Sequence, residues 1–158
     1  VVLGYSPYYV KSNFFNPFVR FDGFWVAWQY AAFALAGAPY MGVGRNMGYR
    51  KSKFLENKGF ASNLKVPFGD DDLLIQEIAK GSTTKVVLDP EAHVTTEPKP
   101  GPKSWAKQKR RHLSAGRHYK FKFKLLLGLV WASRFAYMML SILYFLNDNC
   151  IQSLLKKL

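Results

Sequence analysis

Cysteine is nearly missing from this chain: Cys150 is the only one in 158 residues. That excludes an internal disulfide framework and any metal cage built on thiolates, and it suits a reducing compartment. Acid is scarce too. Ten Asp and Glu stand against 23 Lys and Arg, a formal net charge of +13, so the expected partners are anionic: nucleic acid or a membrane surface. Histidine offers little, since neither His93 nor His118 has a spacing that makes a metal site. No internal repeat or low-complexity tract is present. The chain also lacks an initiator Met or signal peptide before VVLG, and it closes on IQSLLKKL, which reads as the opening of another helix. Both ends predict a piece of a longer protein.

Aromatic residues, at 16%, are plentiful. One run is long and apolar: Leu125 to Leu146 reads LLLGLVWASRFAYMMLSILYFL, with Arg134 its single charge. As a helix it would be roughly 33 Å long, against about 30 Å of hydrocarbon in a bilayer. Trp131, Tyr137 and Tyr144 supply aromatic anchors of the interfacial kind. Arg134 is the feature that keeps open a buried helix of a soluble core. A membrane span over 125–146 is the expectation. Between Pro98 and Lys124 stand ten Lys or Arg and no acid, so the positive-inside rule puts the Lys124 end in the cytoplasm, an asymmetry weakened by Lys156 and Lys157.

Ahead of the span, strands, helices and loops alternate. Val1–Gly4 predicts a buried strand, followed by turn chemistry in GYSPYY. FWVAWQYAAFALAGA, residues 24–38, predicts a helix too short to span a bilayer, which packs as a core helix or lies at an interface. A short helix over 51–57, a helix over 70–81, a strand over 84–88, a proline-rich connector TTEPKPGP and a basic helix from about Ser104 complete the order.

GDDDLL, residues 69–74, crowds three acids together in a basic chain. Helical neighbours point about 100° apart, so the three cannot serve one site together. Asp71 shares a face with Leu74, Ile75 and Ile78, which predicts the buried side. Asp72 aligns with Gln76 and Lys80, which predicts the solvated side, and Asp70 stands where an N-cap belongs. Capping explains Asp70 and Asp72. A carboxylate at the top of the apolar face, between core and cleft, is placed for a general base, and that is Asp71. Downstream, Trp105, Gln108, Arg111 and His112 share one face of the basic helix and offer an aromatic, an amide and a guanidinium to one ligand. Lys107, Lys109 and Arg110 read as a patch for lipid phosphates. In GVGRN the glycines permit close backbone approach and positive φ.

GRNMGYRKSKFLENKGF, then GDDDLL, then VVLDPEAHVTTEP, then QKRRH before an apolar run, resembles the family-two glycosyltransferases anchored in membranes. The likeness covers about 41–146, and LGYSPY and RFD look like the variety of that family common in Bacteroidetes-type bacteria. It implies an α/β fold: residues 1–119 as the C-terminal, acceptor-side part of a GT-A domain, and 120–158 as a membrane region. Asp70 and Asp71 then stand at the acidic pair, with Asp71 the base. Gln108 and Arg111 stand at the Gln and Arg of QxxRW, where Arg111 would meet the charge of the donor's diphosphate. Gly44, Arg45 and Asn46 stand at the acceptor loop, with an ordinary turn as the alternative. His112 replaces its Trp, which puts processive synthesis in doubt. The resemblance further implies a nucleotide-sugar donor and a carbohydrate or lipid-linked acceptor. It implies Mg or Mn held by ligands upstream, since no DxD precedes Arg20 and Asp70–Asp72 comes too late. The implied location is the cytoplasmic face of a bacterial inner membrane, with membrane lipid but no nucleic acid as partner, and this stretch alone would be inactive. The alternative is a non-enzymatic, membrane-anchored basic protein that binds nucleic acid or anionic lipid, which would explain the net charge and HYKFKFK.

Overall fold

The computed structural model describes residues 1–64, 66 and 68–155, with side chains described as far as 147. The chain forms two compact units, 1–119 and 120–158. The first is mixed helix and small sheet. Its strand β1, Val2–Gly4, lies between β2, Met47–Gly48, and β3, Lys85–Val87. β1 pairs antiparallel with β2 (Leu3 opposite Met47) and parallel with β3 (Leu3 opposite Val86). A parallel neighbour requires a long crossover, and the helices between β1 and β3 supply it.

The first of these, α1, spans Asn16–Leu35 and begins eight residues before the apolar run that predicts it. Asn13 explains the early start: its side-chain oxygen accepts from the N–H groups of Phe15 (3.1 Å) and Asn16 (2.8 Å), and Pro17 needs no donor there. Gly37, at φ 83°, ends the helix. The Ala38 N–H returns to the Phe33 carbonyl at 2.8 Å, which satisfies an orphan acceptor of the last turn. The buried line of α1 includes Val19, Ala27, Tyr30 and Ala34. It shares one core with Leu3 of β1 and with Leu74 and Ile75 further along the chain, where each large aliphatic side chain contributes about 1.5–3 kcal/mol. The Tyr30 hydroxyl donates to the Gly4 carbonyl at 2.6 Å, and burial pushes its pKa up to about 12.

Helix α2 covers Lys51–Glu56, α3 covers Asp70–Ile78 and α4 covers Pro102–Ala115. The TTEP connector is held against the loop after β1: Tyr9 N–H donates to Thr96 O (3.1 Å), Thr96 N–H to Pro7 O (2.9 Å), and Lys11 pairs with Glu97 at 2.9 Å.

In the second unit, α5 runs from Phe121 to Leu155 and takes in the first residues of IQSLLKKL without a break. Residues 156–158, with Lys156 and Lys157, lie outside the described part. Within α5, residues 121–147 are long and apolar enough to cross a membrane. Arg134 places its guanidinium carbon 5.7 Å from the Trp131 ring centre.

Candidate active-site cleft

Helix α3 reverses part of the expected phase. Asp72, assigned to the solvated side by periodicity, is buried at 6% exposure, and its partner Gln76 is buried with it. Every residue from Asp72 to Gln76 is buried. A helix enclosed on all sides has no single wet face, so spacing alone cannot sort its polar residues. Nor is Asp70 the N-cap. That position belongs to Gly69, at φ 84°, and Asp70 is exposed on the first turn.

Gly69 also brings two elements together. A Cβ there would lie 2.2 Å from the Cβ of Ala115, so only glycine admits this contact between the start of α3 and the end of α4. The acids of α3 thereby come against the basic face of α4. With the 42–45 turn, the loop after β1 and one side of α1, they enclose a cleft of about 420 Å³.

Asp71 lines this cleft. Its Oδ2 accepts the Gly44 N–H at 3.0 Å and its Oδ1 accepts the Asp72 N–H at 3.0 Å. The carboxylate is oriented by backbone donors, and the glycine turn has a stated use: it comes close enough to donate. Gln108, Arg111, His112 and Trp105 line the same cleft, as do Gly44 and Arg45. Arg111 stacks its guanidinium over the Phe68 ring at 4.9 Å and forms no ion pair among the described residues. Burial, then the charges of Lys109 and Arg111, lower the pKa of His112, which favours neutral imidazole.

Asn46 does not join them. Its amide donates to the carbonyls of Tyr5 (2.6 Å) and Ala92 (2.9 Å), which gives it a bracing role between loops. Lys109, grouped by spacing with the lipid-facing cations, instead lines the cleft and pairs with Asp22 at 2.6 Å. Asp22 also accepts the Trp105 indole N–H at 3.1 Å. The one signal for Asp22 in the sequence is that it is the only acid before Glu56. Tyr5, Ser6 and Tyr8 complete the wall opposite. Arg45 donates from Nε to the Ser6 hydroxyl at 2.7 Å and lies 5.2 Å from the Tyr8 ring centre. Nothing in the spacing of these residues points to a cleft.

Asp72 is held differently from its neighbour. It accepts the Tyr119 hydroxyl at 2.5 Å and a backbone N–H from Gly42. Burial, and next the Asp71 charge, push its carboxyl up to about 7. Tyr119 is raised in turn by burial and by Asp72.

Asp70 is exposed, Asp71 accepts from Gly44 and Asp72 from Tyr119, yet all three line the one cleft, against the expectation that they could not share a site. Among the described residues no group of three His, Cys, Asp or Glu is arranged to hold a metal ion. The donor set does not fit the divalent ion that the glycosyltransferase resemblance implies.

No protein family matches this chain, and no curated protein and no solved structure matches it.

Proposed function

We propose that the chain is the acceptor-side part of a membrane-associated, inverting glycosyltransferase of the GT-A, family-two kind. It moves a sugar from a nucleotide-sugar donor to a carbohydrate or lipid-linked acceptor at the cytoplasmic face of a bacterial inner membrane. The observation that carries this reading is the oriented Asp71 carboxylate in one cleft with Arg111, Gln108 and Trp105. In the reaction, Asp71 takes the proton of the acceptor hydroxyl as its oxygen attacks the anomeric carbon from the side opposite the leaving group. The bond to the diphosphate breaks with its electron pair, and Arg111, which forms no ion pair among the described residues, faces the growing charge. Gln108 and the aromatic walls orient the sugars. Nucleotide and divalent metal are held, in this reading, by residues upstream of Val1 in the same polypeptide.

The test is sugar transfer from labelled nucleotide sugars by membranes that carry the protein with its natural flanking sequence. Asp71→Asn should lower kcat by roughly 10²–10⁴, the scale for loss of a general base, and leave donor KM nearly unchanged. Full turnover by that variant would remove the base. Absence of transfer, joined to salt-dependent binding of nucleic acid, would favour a non-enzymatic basic protein instead.

A further inference from the structure

The outward face of α1 is as apolar as its buried one. Phe18, Phe21, Trp25, Trp28 and Leu35 recur at spacings of 3, 4 or 7 and so stand in one line, and Phe14 lies just ahead of the helix. All are exposed: Phe14 at 100%, Trp28 at 60%, Leu35 at 72%. The outer face of a helix in water carries polar groups. Here the only acid of α1, Asp22, is turned into the cleft against Lys109. An exposed apolar surface of this length marks a contact.

We propose that this face of α1 lies in the headgroup region of a membrane, as an interfacial helix and a second lipid contact besides α5. Its composition selects lipid: Trp and Phe in line are the residues that settle at the boundary of headgroup and acyl chain. The surrounding charge selects anionic lipid. Arg20 is exposed on α1 itself, and α4 joins α1 through the Phe18–Trp105 ring contact at 5.0 Å and carries exposed Lys103, Lys107 and Arg110. A second copy of the chain is the poorer occupant, because its net charge of +13 repels. The contact would set the cleft, lined by the other side of α1, about one helix diameter, roughly 10 Å, from the headgroups. That distance suits an acceptor carried on lipid. The proposal rests on α5 entering a membrane, since the peptide bond from Tyr119 to Lys120 ties the first unit to that helix.

The test uses nitroxide labels on the whole chain, in a Cys150→Ser background, reconstituted into phosphatidylcholine–phosphatidylglycerol vesicles. Labels follow Phe21→Cys, Trp28→Cys, Phe135→Cys on α5 and Lys51→Cys on α2. Collisions with lipid-soluble oxygen are compared with collisions with a water-soluble nickel chelate. Oxygen should prevail at 21, 28 and 135, and nickel at 51. Lipid at 135 with nickel at 21 and 28 would overturn the α1 proposal alone. Nickel at 135 would overturn the spanning reading and this proposal with it. Spin–spin broadening at 21 that vanishes on dilution with unlabelled chain would assign the face to a second copy and overturn lipid as its occupant.

Discussion

Asp72 and Arg111 each make a measurable prediction at the residue scale. The Asp72 carboxyl has its pKa raised from 3.8 to about 7 in the folded chain, so folding favours its protonated form. The resulting stability is fully present below 3.8, falls as pH rises, and is lost once pH passes about 7. His112, lowered from 6.5, works the other way: its contribution is present above 6.5 and is lost as pH falls. Subtraction isolates Asp72. The Tm difference between wild type and Asp72→Asn, followed from acid to neutral pH, should show a decline that the variant lacks. An unchanged difference across that range would contradict the burial described for Asp72. Arg111 and Lys109 separate in another way. In the proposed reaction Arg111 faces the leaving group, so Arg111→Ala should cost about 10²–10³ in kcat, while Arg111→Lys, which restores charge without the planar fork, should recover part of it. Lys109→Ala leaves Asp22 without its ion partner in a site where both side chains are about three-quarters covered. Its first effect should be a loss of stability, read as a lower Tm, that lies between the ~1 kcal/mol of exposed pairs and the ~3 kcal/mol of buried ones. Equal, mild losses of turnover in both, with no change in Tm, would make them members of a lipid patch.

Among the elements, the junction of α3 with α4 carries most of the cleft, and Gly69 is its most sensitive point. Gly69→Ala places a side chain at φ 84° and against Ala115. The left-handed conformation costs about 1–2 kcal/mol, and the overlap adds roughly 1–3 kcal/mol of strain. Chemical denaturation should show the loss, and turnover should fall with it as Asp71 moves away from Arg111. A variant as stable as wild type would show that α3 and α4 are not locked there. Elements with strong local signals stand close to their expected places. β1 lies within 1–4, α2 within 51–57 and β3 within 84–88, because strand residues and helix stops are local chemistry. α1 runs longer because Asn13, whose side chain accepts from the N–H groups of Phe15 and Asn16, lies outside the apolar run. In α3, Leu74 and Ile75 are buried as periodicity expects, but Asp72 and Gln76 are buried too, because enclosure by other elements overrides it.

For the molecule as a whole, charge and the apolar helix set the terms. Residues 98–124 hold ten cations and no acid, and α5 follows directly, so the positive-inside rule predicts a cytoplasmic Lys124 end. Cysteine introduced by Lys122→Cys, in a chain without Cys150, should resist an impermeant thiol reagent added outside intact cells and react after lysis. Labelling from outside would invert the orientation and put the cleft where nucleotide sugars are not supplied.

Composition and order alone determined several things about this protein. A net positive charge, one Cys and an apolar run long enough for a bilayer are additive properties, and summing residues suffices to read them. The set Trp105, Gln108, Arg111 and His112 was equally legible, because four side chains on one helix share a face by geometry that needs no neighbours. The tertiary structure decided what depends on neighbours. Asp22 and Lys109 are far apart in the chain and meet only because α1 and α4 pack together, and Tyr5 and Tyr8 enter the cleft only because β1 lies at the centre of the sheet. Asp71 and Asp72 differ by one position, and spacing could give each a direction. Only the packing of α3 could say that Gly44 waited in one direction and Tyr119 in the other, with one carboxylate oriented in an open cleft and the next buried.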